Sequence, residues 1–153
     1  MSQKKTETNW PDLTGRIDGN EHILPVRVYY EDTDFSGVVY HAAYLKFMER
    51  GRTELLRMLG VHHHELDAGK HGEPLAFAVR HMDIDFLKPA RIDDVLEVHT
   101  VISEIKGVRL IIRQRVMRGD EILIKACVTA VAISEEGKPR RLPKAMITQM
   151  KGE

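Results

Sequence analysis

Residues 1–22 show no sustained hydrophobic period and carry Pro11, Gly15 and Gly19, so they are expected to form a polar N-terminal tail, with one domain over residues 23–150. From Leu24 to Tyr30 the run "LPVRVYY" sets Val26, Val28 and Tyr30 against Arg27 and Tyr29. That alternation predicts a strand with one buried face. Between His41 and Leu59 the period changes: Tyr44, Leu45, Met48, Leu55, Leu56 and Leu59 recur at spacings of three, four and seven, which predicts an amphipathic helix that Gly60 stops. On its polar face Arg50 and Glu54 are placed to pair, for roughly 0.3–0.5 kcal/mol. Gly51, mid-helix, costs about 1 kcal/mol against alanine. It is expected where the helix must lie very close to another backbone.

Four strand-like runs follow, 75–86, 95–104, 108–118 and 121–134, with "KPARIDD" between the first two. Lys106-Gly107 and Gly119-Asp120 read as hairpin turns between the others, so the last three runs are expected to be antiparallel neighbours. In the third, Val108, Leu110, Ile112 and Val116 oppose Arg109, Arg113 and Arg115, one face dry and one wet. "ILIKACVTAVAI" is apolar on both faces except at Lys125 and Thr129, as a central or interface strand would be, and Pro143 is placed to open one terminal helical turn. One helix cannot cover both faces of a five-stranded sheet. The apolar last strand therefore favours pairing with another subunit.

Composition narrows the function. At 153 residues the chain is the size of one domain. Lys plus Arg equals Asp plus Glu, 23 each, which leaves no net field for a polyanion, and nucleic acid is not an expected partner. The single cysteine, Cys127, has no disulfide partner in the chain, and the opening residues lack the apolar run of a signal peptide or a membrane span. A cytoplasmic protein without a transmembrane segment is expected.

The chemistry concentrates in "YYEDTDFSGVVYH", where Glu31, Asp32 and Asp34 precede the predicted helix. A helix start presents unpaired backbone N–H groups able to stabilise an oxyanion, and a carboxylate nearby can serve as base or nucleophile. Those two parts suffice for acyl transfer. A plainer reading is that Asp34 is a loop acid complementing the helix dipole, and that Glu31 and Asp32 are solvated turn residues. If those two acids face Asp34, their charge should raise its pKa.

"VRVYYEDTDFSGVVYHAAYLKFMERGRTELL" resembles the signature of hotdog-fold acyl-CoA thioesterases of the 4-hydroxybenzoyl-CoA thioesterase group, most closely the YbgC-type, Tol-Pal-associated branch. Its core is T-D-x-x-G-x-V-Y-H, and the similarity continues through "FLKPARIDDVLEV" to "RLPK". The resemblance implies an α+β hotdog fold, a five-stranded antiparallel sheet wrapped around one long central helix. It also implies sheets joined edge to edge in a homodimer, often a homotetramer, with active sites at the dimer interface. By the same resemblance Asp34 is the catalytic carboxylate, and Tyr40 and His41 are the tyrosine-histidine pair at the helix start. His41 is then assigned to binding substrate or orienting Asp34. Gly37 keeps the expected turn, while Phe35 and Ser36 stand where the branch often has small residues, and Phe35 bears on the acyl pocket. The implied activity hydrolyses an acyl-CoA to free acid and coenzyme A without a cofactor. The rival reading is a non-catalytic module linked to the cell envelope that binds acyl-CoA or acyl carrier protein, the second of these also being a candidate partner of the enzyme. A hotdog dehydratase or isomerase needs a different acid-base pair, and the signature speaks against it.

Two other features carry less. His62, His63 and His64 are consecutive and lack metal-ligand spacing, so no metal is assigned to them. Arg80, Lys88, Arg91, Arg109, Arg113 and Arg115 are candidates for coenzyme A phosphates, though surface arginines are common, and "KPRRLPK" is a basic stretch that solvent alone accounts for.

Overall fold

The structure is a computed structural model that describes Trp10, residues 12–61 and residues 74–152. His62, His63 and His64 lie outside the described residues. The elements are β1 (Arg16–Asp18), β2 (Glu21–Arg27), a 3-10 turn (Tyr30–Asp32), α1 (His41–Met58), β3 (Ala76–Phe86), β4 (Val95–Lys106), β5 (Arg109–Arg118), β6 (Glu121–Ile133) and α2 (Lys144–Met150). The strands form one sheet in the order β1-β2-β4-β5-β6-β3, every neighbour antiparallel.

This is the expected mixed fold of one antiparallel sheet and one long helix, with a sixth strand added. β1 is three exposed residues paired to the start of β2, too short and polar to show an alternation. β2 buries His22, Leu24 and Val26, and Val28 continues the buried series. The predicted strand overran here: Tyr30 is 82% exposed and opens the 3-10 turn, because the chain leaves the sheet after Arg27.

α1 closes as its sequence demands. Gly60 adopts φ +86, Val61 N–H donates to Leu56 O (2.8 Å) and Gly60 N–H to Arg57 O (3.0 Å), the paired bonds of a Schellman stop. Its buried stripe is Ala43, Tyr44, Phe47, Met48, Gly51, Leu55 and Leu56, whereas Leu45, expected on that face, is exposed. Glu54 pairs with Arg57 at 2.9 Å rather than with Arg50. A Cβ at Gly51 would stand 2.8 Å from Val98 Cγ1, 2.9 Å from Thr100 Oγ1 and 3.2 Å from Gln114 Nε2. The glycine is what lets α1 rest on β4 and β5.

Gln114, only 2% exposed, donates to Met48 O (2.8 Å) and Thr100 Oγ1 (2.9 Å) and accepts from Arg52 (3.0 Å). These bonds offset the desolvation of a buried amide. Gln114 shares the parity of Leu110, Ile112 and Val116, so the alternation of β5 carries this one polar side chain onto the buried face.

The hairpins β4-β5 and β5-β6 pair as expected. β6 takes the central position, between β5 and β3, that was one of the two expected of its two apolar faces. Among the described residues the edge beyond it belongs to β3. α2 places Met146 and Met150 in the core cluster at the C-terminal end of α1, where Leu56 and Val61 also lie.

Candidate active site

Asp34 sits on a tight turn built by its own backbone. Gly37 N–H donates to Asp34 O (3.0 Å), Asp34 N–H donates to Val38 O (2.9 Å), and Gly37 takes φ +84, a left-handed conformation in which a side chain would be strained. The two arms of the turn are joined at a Thr33–Val39 bridge and by Tyr40 N–H donating to Asp32 O (2.9 Å). Val38 bridges Arg91, and Val39 N–H donates to Ala90 O (2.8 Å). The turn is thus held against the β3–β4 loop and leads directly into α1.

That loop is itself fixed, which explains "KPARIDD". Asp94 accepts from Arg91 N–H (2.9 Å) and from Arg118 (2.8 Å). Arg118 and Lys88 both pair with Glu121, and buried Tyr44 of α1 accepts Ala90 N–H on its hydroxyl at 3.0 Å. Burial raises the Tyr44 pKa, the Ala90 bond opposing it. Burial also pushes Asp94 upward, but the bonds from Arg91 and Arg118 outweigh it and keep the carboxyl below its ordinary value. Two cations considered for coenzyme A phosphates are already engaged within the chain, Lys88 with Glu121 and Arg115 with Glu21.

Tyr40 occupies the N-cap position of α1 with extended backbone and makes no side-chain cap hydrogen bond. The first N–H groups of the helix thus remain without a capping side chain, a feature suited to an anion or a polarised carbonyl. His41 begins the helix, its ring 4.5 Å from that of Tyr40 and 6.2 Å, edge to face, from that of Phe86. Phe86, at the end of β3, also lies 6.1 Å from Tyr44. It belongs to this site by geometry, and its sequence position, 45 residues after His41, shows nothing of that.

The Asp34 carboxylate is fully exposed, and its hydrogen bonds come from Ser36: Oδ1 accepts from Ser36 Oγ (2.7 Å) and Ser36 N–H (2.8 Å). These bonds, the hydroxyl's first, hold its pKa below the usual aspartate value. The condition for an upward shift, that Glu31 and Asp32 face Asp34, is not met. Asp32 instead turns back to accept Tyr29 N–H (2.8 Å), and Glu31 is exposed on the 3-10 turn. Ser36 was legible only as local turn chemistry, a hydroxyl two residues after an aspartate. Phe35, at the tip, is 99% exposed, and Tyr29, Tyr30, Tyr40, Phe86 and Leu87 are uncovered as well.

The sequence profile of the Thioesterase superfamily matches residues 36–125. The chain belongs to this superfamily. It is 45% identical over 129 residues to acyl-CoA thioester hydrolase YbgC of Escherichia coli O6:H1, covering 83% of this chain and 93% of that one. To the acyl-CoA thioesterase YbgC of Haemophilus influenzae it is also 45% identical, over 126 residues, 82% of this chain and 90% of the relative. Among solved structures, a probable thioesterase from Bartonella henselae superposes with a TM-score of 0.78 at 51% identity, over 80% of this chain and 99% of that one. The hotdog fold expected from the signature is the fold of this superfamily member, and its class of chemistry is that of a thioester hydrolase.

Proposed function

We propose that this thioesterase-superfamily enzyme hydrolyses acyl-CoA thioesters, with Asp34 as the reacting carboxylate. The observation that carries the reading is a solvent-facing Asp34 on a turn that runs straight into the uncapped start of α1. The thioester carbonyl sits at that start, where one backbone N–H donor contributes about 2.7–4 kcal/mol to the transition state. Asp34 takes a proton from water as the hydroxide adds to the carbonyl carbon. The tetrahedral oxyanion then collapses, the C–S bond breaks, and the coenzyme A thiolate recovers the proton. A direct attack by Asp34, giving an anhydride that water opens, uses the same groups. His41 and Tyr40 line the acyl thioester, Gly37 sets the turn, and Phe35 contacts the acyl group.

The site is completed by a second copy of the chain in a homodimer or a dimer of dimers. Two features support this: β3 is an eleven-residue edge strand, which invites pairing, and the aromatic rim around Asp34 is uncovered. A cytoplasmic enzyme, with acyl carrier protein as a second acyl donor and a link to the Tol-Pal system, completes the reading.

The test is release of coenzyme A from a panel of acyl-CoAs by the wild type and by Asp34→Asn. Turnover by the wild type alone supports hydrolysis. Binding without turnover in both forms would instead establish an acyl-CoA or carrier-protein binding module, and equal turnover would remove Asp34 from the chemistry.

A further inference from the structure

We infer that Ser36 is a positioning residue for the hydrolysis, its hydroxyl fixing the Asp34 carboxylate so that Oδ1 is held and Oδ2 is presented to water or thioester. The inference rests on the assignment of Asp34 as the reacting group. Ser36 is the third residue of the turn that Gly37 N–H closes onto Asp34 O, so its own N–H and O–H both point back at the first residue. Both donate to one oxygen, at 2.8 and 2.7 Å, short distances typical of an ionised acceptor. A carboxylate oxygen offers two lone pairs, and Oδ1 spends both on Ser36. Oδ2 receives no side-chain hydrogen bond among the described residues, the Val38 and Asp34 backbone N–H groups adding only smaller contributions to the carboxylate than Ser36 does.

An exposed aspartate otherwise rotates broadly about its terminal torsion. Two donors on a single oxygen remove that freedom, and a fixed reacting atom is worth more than a rotating one. The hydroxyl also favours the ionised form, the first cause of the lowered Asp34 pKa. Other titratable groups on the surrounding elements are Glu31 and Asp32 in the 3-10 turn, Tyr40 and His41 at the helix start, and Arg91, Asp93 and Asp94 in the β3–β4 loop. The shift itself arises from hydrogen bonds and not from these charges.

Removing the hydroxyl leaves the Ser36 N–H bond in place, so the turn can persist while one anchor is lost. Ser36→Ala and Ser36→Thr are compared with the wild type in kcat and KM across pH, on an acyl-CoA that the wild type hydrolyses. In Ser36→Ala, kcat is expected to fall about tenfold at neutral pH with KM changed less than about twofold. The acid limb of kcat/KM should move to higher pH, since the raised Asp34 pKa leaves less of the base ionised on the acid side. Ser36→Thr should restore both. An unchanged kcat and acid limb in Ser36→Ala, or no rescue by threonine, overturns the inference. Asp34→Asn, assayed alongside, separates the two failures: wild-type turnover there removes the Asp34 assignment and Ser36 with it. An inactive Asp34→Asn beside a wild-type-like Ser36→Ala removes Ser36 alone.

Discussion

At its first residue α1 meets a turn open to solvent, with Asp34 and Phe35 uncovered and no side chain capping the helix. At Gly51, less than three turns further on, the same helix lies so close to Val98, Thr100 and Gln114 that a Cβ does not fit. Polar groups are satisfied in both places, but to different ends. Around Gln114 the bonds to Met48, Thr100 and Arg52 use both ends of the amide and bury it. Around Asp34 the bonds occupy one oxygen and leave the other facing water. The midpoint of α1 is finished within the chain, while at its start no side chain caps the helix and Asp34, Phe35, Tyr40 and Phe86 are exposed.

Substitutions at the two places should therefore separate activity from stability. The largest effect belongs to Asp34→Asn, expected to lower kcat/KM by about 10²–10⁴. Because the side chain is exposed and the amide can still accept from Ser36, the thermal midpoint should stay close to that of the wild type. A large drop in that midpoint would show that the turn, and not the carboxylate's chemistry, had been broken.

Gly51→Val tests the other side of the contrast. Overpacking a filled site costs about 3 kcal/mol, and the atoms in the way belong to fully buried Val98 and Thr100 and to nearly buried Gln114, which have no solvent to yield into. Chemical denaturation should show the loss, with specific activity of the remaining folded protein reduced far less than by Asp34→Asn. A smaller loss is expected from Gln114→Ala, about 1–3 kcal/mol, because Thr100 and the Met48 carbonyl lose a buried partner. A stability equal to wild type would mean the network is not holding α1 to the sheet.

How much of this could be read from the sequence differs along the same helix. The length of α1, its Gly60 stop and the close approach at Gly51 all follow from spacing and backbone preference, which are local. The hairpins at Gly107 and Gly119 were legible for the same reason. Pairing of β3 with β6 and of β2 with β4 was not, because residues such as Ile84 and Ala126 or Val26 and Leu96 meet only through the sheet. At the site, Asp34, Gly37, Tyr40 and His41 come from one continuous stretch and could be gathered by motif. Phe86 and Ala90 reach the helix start from a segment that lies far along the chain from it. Ser36 lay in plain view, but its bonds to Oδ1, which lower the Asp34 pKa, depend on the turn geometry.

A second carboxylate sharpens the distinction between poised and bracing acids. On the outer face of the sheet Glu21 of β2 accepts from Arg115 of β5 at 2.9 and 2.8 Å and meets His99 of β4 at 3.0 Å. Burial alone would raise its pKa, yet the His99 and Arg115 bonds outweigh that and hold it below the ordinary value. A carboxyl whose folded pKa is depressed contributes stability that is complete above its unfolded pKa and disappears as pH falls through the folded one. Glu21→Gln should therefore be less stable than the wild type at neutral pH, by less than about 1 kcal/mol because the pair is partly solvated. That gap should narrow as pH falls below the ordinary glutamate value of about 4.3 and on through the lower folded one. Denaturation curves at neutral and acid pH check it, and a gap that is flat with pH would assign Glu21 to packing instead of charge. Activity, normalised to folded protein, should not follow the substitution, since this brace lies on strands that hold the sheet together and not on the turn that carries Asp34.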